Sequence, residues 1–436
     1  MAPLNILIVG CSIAGPTLAT FLLLSPLPAN EKPHITILER SHVMRKDGQN
    51  IDVRGTGLTI LRKLGLEAAV RASTTGEAGV QFVDENNTVW AQLAADTSGK
   101  YQTPTSDIEI LRGRLAELLW ERSRDVSEAV QRGGGRGIEY IFGDYLDEIA
   151  QDGEKVGVHL AKSGERRRYD LVVGADGLQS RTRSMVWGSG GEEDRIRRLG
   201  MYGAFFSMPR GKTDSQWRRW FHAPGRRGIM VRPDEQRDRT TVFMYVINDH
   251  DERLPAVAAK GREDVQSQKA IMSEYFHDAG WECKRIIKEM MQTRDFYYDL
   301  VGQVKMDKWS KGRVVLLGDA GYCASPVSGM GTTLALNGAY NLAGSLLQHP
   351  NNFAAAFAQY EEKMRPLVDR AQKLAPGMPR IVNPETTWGV RLLNWIMYFL
   401  CLSRLHILLF MLGAGPPANF VPVEEYGFRQ LEESSV

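Results

Sequence analysis

The sequence predicts an α/β protein with a Rossmann-like domain, an inserted antiparallel β-sheet domain and a C-terminal helical segment. Three observations predict it. Three apolar, β-branched runs (Leu4–Val9, Asp170–Val173 and Arg313–Leu317) each lead into a glycine-bearing turn, as buried strands of a parallel sheet do. Between the second and third of these, residues 200–246 alternate short apolar runs with turn residues, the pattern of antiparallel strands. Beyond Pro376 the apolar spacing becomes helical. The chain therefore divides into a discontinuous first domain (1–75, 105–185 and 295–375), an inserted domain (76–104 and 186–294) and a helical cap (376–436). At 436 residues there is enough chain to bury more than one core.

Composition narrows the function classes. A net charge of +2 argues neither for nor against nucleic acid, but no dense Lys/Arg block pairs with exposed aromatics, and a small-molecule partner is expected instead. Cys11, Cys283, Cys323 and Cys401 are scattered without metal-ligand spacing, so no metal site is expected and reduced thiols in a cytoplasmic protein are. Leu4–Val9 is too short for a signal-peptide core and runs straight into glycines.

Taken in order, Leu4–Val9 is the first strand, Gly10-Cys11-Ser12-Ile13-Ala14-Gly15 the turn, and Pro16–Leu24 an apolar helix. This is G-x-G-x-x-G with Ser12 at the second glycine, the place where backbone meets a pyrophosphate at a helix start. His34–Leu38 is the next strand, and Glu39 at its end is placed to accept both hydroxyls of a ribose. A 2′-phosphate would be repelled there, so the resident dinucleotide is FAD or NAD. Arg40 follows, as a ligand contact or as a solvated charge. In Gly48–Gly57, Gln49, Asp52 and Arg54 alternate with Ile51 and Val53, which fits a pocket-lining strand and a wet edge strand equally. A helix follows at Leu58–Leu66, then a hairpin over Val80–Trp90. Arg112 and Arg114 precede a helix expected from Leu115 to about Arg124, and cations at a helix start are tolerable if one meets an anion. Gly133–Gly137 is a loop. In Tyr169–Arg183, Asp176 either binds a ligand hydroxyl or only shapes its turn. Finally, Gly312–Ala343 combines a strand, Asp319, a Pro/Ser/Gly loop and a helix from Gly331. Asp319 can accept sugar or ribityl hydroxyls, and Gly329 and Gly331 allow close approach to a flat ring.

Together the three motifs, G-x-[GS]-x-x-G with Glu39, D-x-x-x-G-A-D-G-x-x-S, and G-D-A-x-x-x-x-P-x-x-G-x-G, resemble the single-component FAD-dependent aromatic hydroxylases, the para-hydroxybenzoate hydroxylase-like monooxygenases. With GQNIDVRGTG they look closest to the branch of tetracycline-inactivating and fungal biosynthetic flavoenzymes. The resemblance, over residues 4–375, implies that Gly10, Ser12, Ile13, Ala14 and Gly15 hold the FAD pyrophosphate, and Glu39 with Arg40 the adenosine. It implies a flavin contact for Arg112, an FAD and nicotinamide contact for Asp176, and ribityl binding for Asp319. Pro326, Gly329, Met330 and Gly331 become the loop beside the isoalloxazine. Two positions depart from the family pattern: Tyr322 stands where a His is common, and Asn337-Gly338 where an Asp is expected, which bears on the substrate subclass.

The insert supplies the expected substrate floor, with Trp217, Trp220, Phe221, His222, Met230, Arg232, Phe243 and Tyr245 as lining residues, about half of them plain core by strand alternation. His222, Arg232 and Gln49 are the polar candidates for steering or deprotonating a substrate. Lys260–Met291 is expected as a helical cover. Trp388–Leu412 is the most apolar stretch; Arg391, Arg404 and His406 oppose a membrane span, leaving a packed helix or a peripheral membrane contact. Glu424–Val436 is expected to be loosely ordered. The implied activity is reduction of FAD by a transiently bound NAD(P)H, reaction with O2 to a flavin hydroperoxide, and hydroxylation or epoxidation of a small aromatic, polyketide-like or terpenoid substrate in secondary metabolism. A flavin dehydrogenase or cyclase, or a non-catalytic flavin protein, would not couple NAD(P)H-dependent oxygen uptake to an oxygenated product.

Overall fold

The computed structural model describes residues 3–45, 48–95, 105–106, 108–234, 238–411 and 422–433. Residues 96–104 of the insert, Leu412 and residues 413–421 and 434–436 of the cap lie outside the described residues.

The first domain is built on a six-stranded sheet in the order Ser310–Lys311, Val314–Leu316, Leu171–Gly174, Asn5–Val9, His34–Glu39 and Ile138–Phe142, parallel except for the Ser310–Lys311 edge. Ile8 pairs with Val173 on one side and Ile37 on the other. The apolar runs read as doubly buried strands are just that. Ile6 and Ile8 face the helices Ala14–Leu23, Arg112–Arg132 and Gly331–Gln348, and Leu7 and Val9 face a three-stranded antiparallel layer at residues 146–169. The helix expected from Leu115 starts at Arg112 and extends to Arg132. Its second half stays helical because Ser123, Val126, Ser127 and Val130 are buried, with Ser127 Oγ accepting from Ile138 N at 2.8 Å.

The second sheet has seven strands, in the order Tyr297–Val304, Ile196–Pro209, Arg239–Ile247, Arg227–Pro233, Arg218–Ala223, Gly79–Val83 and Val89–Ala94. Tyr297–Val304, which the sequence grouped with the first domain, is its edge strand, paired antiparallel with Ile196–Pro209. One face (Ala204, Phe206, Phe221, Ile229, Val242, Met244) packs on the helices Val265–Phe276 and Cys283–Gln292. The expected Lys260–Met291 helix is thus two, parted where Gly280 and Trp281 take positive φ (79° and 49°), and they cover the face turned from the pocket side.

After the first domain's last helix, Phe353–Gln372, the cap forms helices Thr387–Leu402 and Leu405–Met411, broken at Arg404 (φ 56°). Among the described residues no helix is long and apolar enough to cross a membrane. The tail corrects an expectation. Residues 422–433 have no regular structure, yet Tyr426 is buried, Phe428 packs on Phe21 at 5.2 Å between ring centroids, and Arg429 N donates to Leu24 O at 2.9 Å. Aromatic burial, which the acidic composition concealed, ties the tail down.

Candidate active site

The first and second motifs are in contact. Gly10 has φ +116°, and a Cβ there would lie 2.4 Å from Ala175 O; a Cβ at Gly15 would lie 2.0 Å from Gly10 O. Only glycine fits either place, so the turn passes flat beneath residues 175–176 and opens onto the start of the Ala14–Leu23 helix, capped by Ile13 without a side-chain bond. That helix has no acidic residue in its first turn to compete with an anion. Ser12 sits at the same mouth, where Arg112 Nη2 reaches its Oγ at 3.5 Å. The short strands Asn50–Asp52 and Glu109–Leu111 deliver Arg112, whose backbone N donates to Gln49 O at 3.0 Å. Gln49 is half-buried at the head of that pair.

Glu39 ends its strand with both oxygens in use: Oε2 accepts from Cys11 N at 3.1 Å, Oε1 accepts from Ser41 N at 2.9 Å, and Arg45 lies 3.6 Å away. Its carboxylate is fixed beside the glycine turn, and Arg40 next to it is exposed. Asp319 opens the third motif opposite the helix start at Gly331, where a Cβ would still be 4.0 Å from its Oδ1. Burial raises the Asp319 carboxyl above its usual range and Arg112 partly offsets this. One arginine therefore faces both the Ser12 turn and the Asp319 acid. The loop between is held by Met330, fully buried, with Gly329 left-handed (φ 64°) and Pro326 exposed on a single turn.

The described bonds of Asp176 are all local. Its carboxylate accepts from Ser180 Oγ at 2.5 Å, Thr182 N at 2.9 Å and Thr182 Oγ1 at 3.0 Å. Arg183, to which the sequence assigns no role, does the joining. Arg183, wholly buried, donates to Leu178 O and Ala320 O at 2.8 Å each and pairs with Glu192 at 2.6 Å, locking the second motif to the third. An arginine one helical turn past a serine carries no sequence signal for this, because Ala320 and Glu192 are brought to it by the fold.

The two departures from the family pattern meet each other. Tyr322 is buried against Trp309 at 4.6 Å, and its hydroxyl accepts from Tyr360 at 2.8 Å. That hydroxyl fills the space where a side chain at residue 338 would begin, since a Gly338 Cβ would lie 1.9 Å from it. Asn337 donates to Thr56 Oγ1 at 3.0 Å. Both changes are packing inside the first domain.

On the inner face of the seven-stranded sheet the side chains fall into rows. Trp220, Met230, Phe243 and Phe205 are cross-strand neighbours, all half-buried between fully buried residues, and exposed Tyr297 continues the row. Phe205 and Phe243 stack at 4.2 Å, and Val327 of the Pro326 loop packs onto the strip. Tyr245 OH accepts from Trp220 Nε1 at 2.8 Å and donates to Asn383 at 2.7 Å. Phe221 faces the outer helices, and Trp217 packs beside Gly79. Asp299 accepts from Tyr297 OH at 2.6 Å and from Gln179 at 3.2 Å at the end of the strip; Gln179 fills a variable place of the second motif, and Tyr297 and Asp299 belong to no motif.

The two polar candidates on this sheet are engaged elsewhere. His222 is buried between Phe82 and Trp220 (6.1 and 4.9 Å), its Nε2 has no partner among the described residues, and burial lowers its pKa to about 3, so it is neutral. Arg232 pairs with Glu77 at 2.9 Å and with Glu109, and Arg218 with the same two at 2.6 and 3.5 Å. Burial disfavours the Glu77 carboxylate, but the arginines outweigh it and hold its pKa at about 2; Glu109, more deeply buried and beside Glu77, is raised. Arg232 therefore sits in a compensated ion cluster.

A glycine cradle at a helix start without a side-chain cap, a basic side chain beside it and fixed acids at either end have the chemistry to receive a dinucleotide such as FAD. Comparison with known proteins identifies the family. The chain is 36% identical to the FAD-dependent monooxygenase asL6 of Sarocladium schorii over 377 residues, 85% of this chain and 86% of that one. It is 33% identical to asL4 of the same organism, another FAD-dependent monooxygenase, over 93% and 94% of the two chains. The structure of the tetracycline destructase Tet(51) superposes with a TM-score of 0.75 at 28% identity, covering 98% of this chain and all of that one (100%). Klebsiella pneumoniae HpxO complexed with FAD and uric acid shares the fold (TM-score 0.68, 19% identity, 95% and 97% covered). With residues 4–375 matching the FAD binding domain family, the chain belongs to that family and is an FAD-dependent monooxygenase.

Proposed function

We propose that the enzyme uses NAD(P)H and O2 to hydroxylate or epoxidise a flat, largely apolar organic molecule of the polyketide or terpenoid kind, in secondary metabolism. The observation that carries this is the strip Trp220–Met230–Phe243–Phe205, half-buried and continued by exposed Tyr297, with Val327 of the Pro326–Gly331 loop packed on it. Five residues on neighbouring strands, about 4.8 Å apart, give a floor about 19 Å long, suited to fused or extended rings rather than one small ring. Arg218 and Arg232 beside it are already compensated by Glu77 and Glu109, which leaves the aromatic surface of the strip as its main offer to a substrate. FAD, when bound, supplies the two-electron chemistry with NAD(P)H and O2. The protein holds it: Gly10, Ser12, Ile13, Ala14 and Gly15 at the pyrophosphate, Glu39 and Arg40 at the adenosine, Arg112 and Asp319 at the ribityl end. Pro326, Gly329, Met330 and Gly331 border the ring. Asp176, bonded to Ser180 and Thr182, would fix the turn of the second motif beside the FAD, and Gln49 would set Arg112. His222, neutral and sandwiched, moves no proton here. Per turnover, NAD(P)H, H⁺ and O2 convert a substrate C–H bond to C–OH, with water and NAD(P)⁺ as co-products.

The test is anaerobic titration of the yellow protein with NADH and NADPH, then oxygen, with polycyclic phenols as trial substrates. Bleaching that accelerates with a bound substrate, followed by one oxygenated product per O2, is expected. Asp319→Ala should lower FAD affinity at least tenfold. Full FAD occupancy and turnover in that variant would overturn the cofactor assignment, and reduction without any oxygenated product would overturn the oxygenase reading.

A further inference from the structure

The helix Thr387–Leu402 is inverted for a water-facing helix. Its outward residues are Trp388, Leu392, Trp395, Ile396, Tyr398, Phe399 and Leu402, with Arg391 among them, while its most buried residue is Asn394. Trp388 is 71% exposed, Phe399 55% and Leu402 66%, against 5% for Asn394. The inward edge packs on the substrate sheet: Met397 and Cys401 lie on the Phe82 cluster, and Trp395 meets Trp90 at 5.3 Å. Leu405, Leu408 and Leu409 of the next helix are exposed as well. A helix in water should turn charge outward, and an apolar surface this continuous marks a docking face.

Charge selects the occupant. From Thr386 to Met411 the chain has no acidic residue, and its charged side chains are Arg391 and Arg404, both exposed. A two-fold contact with a second copy would bring these arginines together with no acid from this stretch to pair them. Sixteen residues span about 24 Å at 1.5 Å each, short of the roughly 30 Å of a hydrocarbon core, so the helix does not cross a bilayer. Apolar residues in one plane, aromatics among them and cations at the rim are what an anionic lipid interface receives. We propose that Thr387–Leu402 and Leu405–Met411 lie flat on the surface of an anionic bilayer, with Trp388, Trp395, Phe399 and Leu402 in the interface and Arg391 and Arg404 at the headgroups.

The experiment is co-sedimentation of the full-length, FAD-loaded protein with vesicles of phosphatidylcholine alone or with 30% phosphatidylserine, alongside size exclusion without lipid. The expected result is binding to the anionic vesicles at least fivefold above the neutral ones, falling as salt rises. The variant Trp388→Ser/Phe399→Ser/Leu402→Ser should lose it while keeping its flavin spectrum, and Arg391→Gln/Arg404→Gln should drop to the neutral-vesicle level. Should those variants lose flavin, the salt series on the unaltered protein decides alone. Equal binding to both vesicles overturns the charge argument and with it the proposal. Absence of binding also overturns it, and a concentration-dependent dimer would then assign the face to a second copy.

Discussion

Tyr322 and Gly338 show how a substitution of chemical type can be a packing event. The tyrosine hydroxyl, held by Tyr360 at 2.8 Å, occupies the volume a side chain at residue 338 would need. Gly338→Ala should cost about 2–3 kcal/mol by overpacking, since the new methyl would stand 1.9 Å from the oxygen. Tyr322→Phe alone should cost about 1 kcal/mol for the lost hydrogen bond. The double variant should be more stable than Gly338→Ala alone, because the nearest ring carbon then lies 3.2 Å away. Urea unfolding of the four proteins measures this, and additive costs would refute the pairing. From the sequence both positions were legible as departures, but not as partners, because a helix and a turn must first be stacked. Gly10 and Gly15 were legible by contrast, since a strand–turn–helix fingerprint is a local pattern whose geometry follows from its own few residues.

Among elements, the ion cluster of Arg218, Arg232, Glu77 and Glu109 fastens the substrate sheet to the strand that feeds Arg112. Arg232 shares the inner face of the sheet with Met230, and as a polar residue among the aromatic strands it is a candidate for substrate contact from the sequence. What alternation cannot supply is the pair of acids, which come from 155 and 123 residues away. Arg232→Met should destabilise by about 3–5 kcal/mol, because it strips a cation from two buried carboxyls. Glu109→Gln in the same chain should recover part of that loss. Thermal melts of the single and double variants with flavin content monitored give the answer. An Arg232→Met protein of unchanged melting temperature but raised KM would instead return this arginine to the substrate.

At the scale of the molecule, both α/β layers and the antiparallel insert followed from apolar period and turn chemistry, while the chain's return onto itself did not. The acidic composition of residues 424–436 suggests a loose end, yet Glu424 and Glu425 pair with Lys363 and Lys63, and Tyr426 lies flat over Gly344. A Cβ at Gly344 would sit 2.3 Å from the Tyr426 ring, so the helix is notched to receive it. Tyr426 also donates to Asn341 at 2.8 Å, and Phe428 closes over Phe21. The tail thereby clamps Ala14–Leu23 against Gly331–Gln348, whose N-terminal ends border the site proposed for the flavin. Tyr426→Ala should cost about 3–5 kcal/mol, the usual loss for a buried aromatic. Because binding and folding are linked, the same change should weaken FAD retention although Tyr426 touches no cofactor-site residue, and excess FAD should restore part of the melting temperature. Calorimetry of the variant with and without added FAD tests both halves. An unchanged melting temperature would show that the tail merely rests on the domain, and a lower one insensitive to FAD would confine its effect to the core.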